Sequence, residues 1–181
     1  LLPLYDHIFI GGALANNFFK AQGHAVGTSL VSDIDITKSS LFASPKLLLP
    51  IDVTVGSPHG PLVKKLGEVK EDESIRDAGP ETVEMLHTLM ASVATLLWNG
   101  PLGDYEHGFD ASTKRFAEVV AEAKGISIVG GGDTVASIQD PSITDRFTFL
   151  STAGGAMLTF LELGTLPGIE ALKNPKTNPR E

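Results

Sequence analysis

The sequence predicts an α/β protein, a parallel sheet covered by helices on both faces. Three observations lead there. Short apolar strands alternate with amphipathic helical segments along the chain, an order that calls for right-handed crossovers. The strand segments are nearly continuous in apolar residues, as strands buried on both faces are. Four of the five expected strands end in glycine or asparagine, at Gly11-Gly12, Asn99-Gly100, Gly130 to Gly132 and Gly154-Gly155. In a parallel sheet those ends lie along one edge, so the turns should converge on one crevice.

Taken in order, Ile8-Phe9-Ile10 is β-branched and aromatic and stops at Gly11-Gly12, and residues 13 to 21 read as helix with Leu14, Phe18 and Ala21 on one face. Residues 30 to 43 read as a second helix. Residues 47 to 55 form an apolar strand, although Pro50 argues against a central place for it. Between Gly56 and Gly79 the text is polar, rich in Lys, Glu and Asp, and reads as a surface loop or small edge hairpin. Pro80 can open a helix to about residue 92, with Glu81 and Glu84 near its positive end and Val83, Leu86, Met90 and Val93 at helical spacing. Thr95 to Trp98 is strand. Ser112 caps a helix whose Phe116, Val119, Val120 and Ala123 share a face, and Gly125 stops it. Ile126 to Val129 is strand, followed by a short helix through Ile138; Phe147 to Leu150 is strand, followed by a helix from Met157 to Leu163. The whole is a three-layer, Rossmann-like order without internal repeats.

Composition narrows the partners. The chain has 181 residues, 42% hydrophobic and 20% charged, enough for one well-filled core. A net charge of -8 disfavours nucleic acid and anionic membrane surfaces, while leaving room for one small phosphate ligand. With no Cys, there are no disulfides, thiolate nucleophiles or Cys-bound zinc, which suits a reducing, cytoplasmic setting. No window is long and apolar enough to span a membrane. The chain opens on Leu1 rather than Met and reads as an excised piece.

Glycines between a strand and a helix expose backbone N–H groups at the positive end of a helix dipole, where phosphate is the natural guest. Asp133 follows three glycines; it either caps the following helix or meets a phosphate through Mg²⁺, an ion held by one or two carboxylates plus phosphate oxygens. Thr134 and Thr152 can donate to phosphate or cap; Asn99 can contact phosphate or close its own turn; Glu106 can accept from ribose hydroxyls or stand free on the surface. None of the ten Lys and four Arg lies in a glycine turn, yet phosphoryl transfer needs cations around the moving group. The five His are scattered, and neither G-x-S-x-G nor H-E-x-x-H occurs.

Seven runs, in this order, resemble the C-terminal, nucleotide-binding lobe of phosphoglycerate kinase: Gly11 to Asn16, Leu49 to Val53, Asp77 to Pro80, Trp98 to Gly103, Gly130 to Thr134, Ser151 to Ala156 and Leu166 to Gly168. The WNGP and GGGDT runs carry most of the specificity. The resemblance implies that residues 1–181 form one nucleotide-binding domain, an incomplete lobe of a two-lobe, usually monomeric glycolytic kinase. That kinase moves a phosphoryl group between 1,3-bisphosphoglycerate and ADP, giving 3-phosphoglycerate and ATP. It implies that Gly12, Asn99, Gly100, Pro101, Gly130, Gly131, Gly132 and Thr134 bind the nucleotide, that Glu106 holds the ribose, and that Asp133 binds the nucleotide's Mg²⁺. Gly132, Thr152 and Gly154 would lie at the transferred phosphoryl group. The acceptor would bind through an N-terminal lobe that this sequence lacks, so the chain should not turn over alone. Some residues depart from the resemblance. Ala13 and Ala153 replace glycines, Asp104-Tyr105 stand where a small apolar residue and Phe are usual, and Arg76 replaces an apolar residue of the adenine pocket. Two other readings remain: a non-catalytic nucleotide-binding or interaction module, and a dinucleotide-dependent dehydrogenase domain. The latter's G-x-G-x-x-G is met by neither Gly11-Gly12-Ala13 nor Gly130 to Val135.

Overall fold

In the computed structural model, which describes residues 2–173, the strands form two parallel ladders and, between them along the chain, an antiparallel one. The first strand, β1 (Ile8–Phe9), leads into helix α1 (Gly12–Ala21) and pairs in parallel with β2 (Leu47–Leu48). Next, β3 (Asp52–Ser57) turns at Gly60 into β4 (Gly60–Lys65), and β5 (Ser74–Ala78) lies antiparallel along the other side of β3. Helix α2 (Pro80–Met90) brings the chain to β6 (Thr95–Asn99), and α3 (Ala111–Glu122) to β7 (Ile126–Gly130). The short helices α4 (Gly132–Ile138) and α5 (Pro141–Thr144) precede β8 (Phe149–Ser151), and α6 (Gly154–Leu163) and α7 (Pro167–Lys173) end the described chain. The third ladder runs β6-β7-β8, all parallel, with Asn99 opposite Gly130 and Gly130 opposite Ser151. The α/β class and the glycine-ended parallel strands are as the sequence predicts.

Three segments differ from expectation. Residues 30 to 43 form no long helix, only a 3₁₀ turn at Ile36–Lys38. Asp35 accepts from the Thr37 N–H and hydroxyl, so a short side chain competes for the backbone there, and Pro45 closes the segment. The expected strand 47 to 55 breaks at Pro50, which has no N–H to give a ladder; the Ile51 N–H goes to the Thr82 hydroxyl instead, and the two halves join different sheets. The polar stretch 56 to 79 is more than a hairpin, because β5 completes a three-stranded sheet. Its β4 is largely exposed, which hides the period-two signal.

Two apolar clusters form the core. The larger joins α2 and α3 to β6 and β7 through Val83, Leu86, Trp98, Phe116, Val120 and Val129; the smaller packs Ala15 and Phe19 of α1 on Val53 and Val55 of β3. Trp98 and Phe116 meet edge to face, centroids 4.9 Å apart.

Buried carboxylates tie the antiparallel sheet to the helices of the larger cluster. From β3, Asp52 accepts the Glu81 and Thr82 N–H groups at 3.0 and 2.7 Å, capping α2 from outside its own sequence. Gly79 is required there because a Cβ would run into the Asp52 carboxylate. From β5, Asp77 accepts the Ser112 N–H at 3.1 Å and the Ala78 N–H at 2.9 Å. Ser112 is therefore not the cap of α3. The helix starts at Ala111, and the Ser112 hydroxyl donates to the Ala78 carbonyl.

Candidate functional site

The ends of β6, β7 and β8 stand side by side because their register aligns Asn99, Gly130 and Ser151. Each strand then opens into a turn built on glycine. Gly100 (φ +95°) and Gly131 (φ +102°) occupy backbone conformations that L side chains rarely adopt. A Cβ on Gly131 would stand 2.7 Å from Asn99 Oδ1, and one on Gly154 2.6 Å from the same oxygen. The Asn99 amide is thus wedged between the two other turns, and all three are locked in one arrangement.

Thr134 completes the lock. Its buried hydroxyl accepts from the Gly100 N–H at 2.8 Å and donates to the Gly130 carbonyl at 2.8 Å. The hydroxyl is committed within the protein, so what Thr134 offers a ligand is backbone, not side chain. Trp98 Nε1 donates to the Gly100 carbonyl at 2.7 Å and Leu102 N–H to the Thr113 hydroxyl at 2.9 Å, fixing the turn to α3. From the first ladder, a Cβ on Gly12 (φ +59°) would lie 3.3 Å from the Pro101 carbonyl oxygen, so the β1–α1 turn reaches the same place.

Around this centre lie exposed groups. Gly132, Asp133 and Thr152 face solvent, and Tyr105 donates to Asp133 Oδ1 at 3.3 Å. Burial, with the Asp133 and Glu106 carboxylates nearby, pushes the Tyr105 phenol up, so it stays protonated and able to donate. Among the described residues no cluster of three or more His, Cys, Asp or Glu could hold a metal. A cation at Asp133 would take its other oxygens from a phosphate ligand and water, which is how Mg²⁺ is usually held. The residues fit that ion as a companion of phosphate.

The family model of phosphoglycerate kinase matches residues 1–163. The chain belongs to the phosphoglycerate kinase family. It is 39% identical over 179 residues to the phosphoglycerate kinase of Nitratidesulfovibrio vulgaris (strain Miyazaki F), a match covering 93% of this chain and 46% of that protein. It is 42% identical over 189 residues to that of Caulobacter vibrioides strain NA1000, covering 96% and 48%. Among solved structures, phosphoglycerate kinase from Coxiella burnetii superposes with a TM-score of 0.81 at 40% identity, over 92% of this chain and 46% of that one. The enzyme from Pyrococcus horikoshii OT3 gives 0.78 at 28% identity, over 95% and 46%. The chain spans about half the length of the relatives it matches.

Against the family pattern, the two alanines fit their places. Gln139 is the one non-glycine at positive φ among the described residues, so Ala13 and Ala153 sit in ordinary backbone. Arg76 and Asp104, read from sequence as separate departures, meet: Arg76 Nη1 donates to Asp104 Oδ2 at 2.7 Å. His107 Nδ1 lies 2.8 Å from Asp104 Oδ1, and His107 and then Arg76 hold the Asp104 carboxyl below the usual carboxylate range. Twenty-eight positions separate the pair in sequence. Two unexpected charges of opposite sign were the available signal. Tyr105 beside Asp133 was likewise visible only as a hydroxyl gained where Phe is usual.

Proposed function

We propose that this chain supplies the Mg-ADP/ATP half of a phosphoglycerate kinase site. The observation that carries the reading is the wedge of Asn99 between Gly131 and Gly154. It locks three strand-end turns into one arrangement beside an exposed carboxylate. Backbone at Gly12, Gly100, Pro101, Gly130, Gly131, Gly132 and Thr134 would line the phosphates; the Gly100 and Gly131 N–H groups are given to the Thr134 hydroxyl and the Ser151 carbonyl and Pro101 has none, so the anion-facing N–H dipoles would be those that open α1 and α4. Glu106 would accept from the ribose hydroxyls. Asp133, oriented by Tyr105, would hold Mg²⁺, which when bound screens phosphate charge. Gly132, Thr152 and Gly154 would orient the phosphoryl group that moves between ADP and the acyl phosphate of 1,3-bisphosphoglycerate.

The same reading makes the chain inactive by itself. Phosphoryl transfer without surrounding cations loses its main electrostatic stabilisation, and no Lys or Arg lies in the glycine turns. The acceptor site would belong to sequence in the half of the relatives that this chain does not cover. Calorimetry should detect Mg-ADP binding to this chain, and Asp133→Ala should weaken it more in the presence of Mg²⁺ than in EDTA. A coupled assay with ADP and 1,3-bisphosphoglycerate should detect no ATP. Turnover by the isolated chain would refute the half-site, and absence of Mg-ADP binding would refute the nucleotide site.

A further inference from the structure

We propose that Arg76 is a positioning residue for the nucleotide site: by holding the Asp104 carboxylate it fixes the loop that carries Tyr105 and Glu106 beside Asp133. The geometry stands independently; the consequence for nucleotide rests on the reading above.

Asp104 is the hub of its loop. Its N–H donates to the Arg76 carbonyl at 2.8 Å, and its own carbonyl accepts from His107 and Phe109, both at 3.1 Å. Its carboxylate takes Arg76 on one oxygen and His107 on the other. The guanidinium is itself aimed, because Arg76 Nε donates to the Ser74 hydroxyl at 2.8 Å. Strand β5 thus grips the loop at Asp104 through one backbone bond and one ion pair, and the next two residues are Tyr105 and Glu106.

Beyond Asp104, that part of the loop is held by the Tyr105 hydroxyl on Asp133 at 3.3 Å and by local backbone bonds from Tyr105 to Gly103 and from Gly108 to Tyr105. Behind it lies an open cavity of about 380 Å³ lined by Gly56, Ser57, Ser74, Arg76, His107 and Phe109. The loop's far end is anchored by the Phe109 ring, whose edge is 3.4 Å from a Cβ built on Gly56. Its near end depends on Asp104. An exposed ion pair contributes little to the stability of a whole fold. In a segment with few other contacts the same interaction decides which way the segment faces. The charges act as a unit. Removing Arg76 leaves the Asp104 carboxylate with His107 alone and removing Asp104 leaves Arg76 with Ser74 alone, so in either case the side-chain tie between β5 and the loop is lost and with it the loop's orientation.

The test uses the full chain with Arg76→Leu, Asp104→Val, and the charge-exchanged double variant Arg76→Asp/Asp104→Arg. Amide hydrogen exchange in ligand-free protein reads the loop, and calorimetry with Mg-ADP reads the site. Either single variant should speed exchange at His107, Gly108 and Phe109 several-fold while leaving α3 amides and the melting temperature unchanged. Either should also weaken Mg-ADP roughly fivefold, about the strength of one exposed ion pair. The exchanged pair should recover most of both effects. Unchanged loop exchange in the single variants overturns the proposal, as does faster exchange throughout the protein or unaltered Mg-ADP affinity despite a loosened loop. If the parent binds no Mg-ADP, the nucleotide reading fails by itself. The exchange results then decide the positioning claim: it stands if the loop loosens and the exchanged pair recovers it, and falls otherwise.

Discussion

Glycines at the strand ends serve two different needs, and space around each separates them. Gly131 has positive φ and Asn99 Oδ1 against it, so Gly131→Ala must strain the backbone and displace the wedge. The expected cost is roughly 1–3 kcal/mol, measurable by urea unfolding. Gly132 has no heavy atom within 4 Å of a built Cβ and begins α4 with ordinary φ. Gly132→Ala should therefore leave stability unchanged or raise it by up to about 1 kcal/mol. If phosphate approaches there, the same methyl should weaken Mg-ADP by about tenfold, close to the worth of one N–H bond to a charged oxygen. Equal Mg-ADP affinity for parent and variant would show that phosphate does not use this turn. The sequence revealed the glycine clusters but not this division, because a letter G does not report φ or neighbours. The Thr134 hydroxyl was hidden for a related reason: its partners, Gly100 and Gly130, belong to two different turns.

Helices were legible wherever an apolar stripe faces the larger cluster, as in α2 and α3, and illegible where polar side chains redirect the backbone, as at Asp35. What the stripes could not show is that carboxylates from another sheet cap both helices. Asp77 is the informative one, since burial pushes its carboxyl from 3.8 up to about 6 despite the bonds from Ser112 and Ala78. A raised folded pKa means that the folded state holds the proton more tightly than the unfolded chain does. The group's stabilising contribution is then complete below about pH 4 and is lost as pH rises through about 6. At neutral pH the ionised carboxylate is a cost of about 3 kcal/mol. Asp77→Asn removes that titration while keeping one acceptor for the capped N–H groups. Its stability relative to the parent should improve by about 2 kcal/mol between pH 4 and pH 7 in urea unfolding. A difference that stays flat across that window would mean that Asp77 is not raised. Asp52 has a simpler role as the cap of α2, and Asp52→Ala should destabilise by about 1–2 kcal/mol, with the loss concentrated in α2 amide exchange.

At the scale of the molecule, the α/β class and the alignment of the glycine turns on one edge of β6–β8 followed from the alternation of strands and helices. The division into ladders did not. A strand's partner is set by three-dimensional neighbours, and β1–β2 and β6–β8 run as separate ladders, with the antiparallel sheet between them in sequence. The proposed site would nevertheless draw on both, since a Cβ on Gly12 would lie 3.3 Å from the Pro101 carbonyl oxygen while Asn99, Gly131 and Gly154 stand at the ends of the other ladder. A ligand that spans those turns must stabilise the two ladders together, by an amount fixed by mass action. At a hundredfold excess over its dissociation constant, Mg-ADP should add about 2.7 kcal/mol. For a chain of this size that is a rise of roughly 5–10 °C in melting temperature. Amides of α1 and of α6, which follow the two sets of turns, should both gain protection from exchange. NAD at equal concentration should produce no such shift, because the Gly11 and Gly130 turns lack the glycine spacing that a dinucleotide pyrophosphate requires. Protection confined to α6 would place the ligand on the β6–β8 turns alone and remove Gly12 from the site.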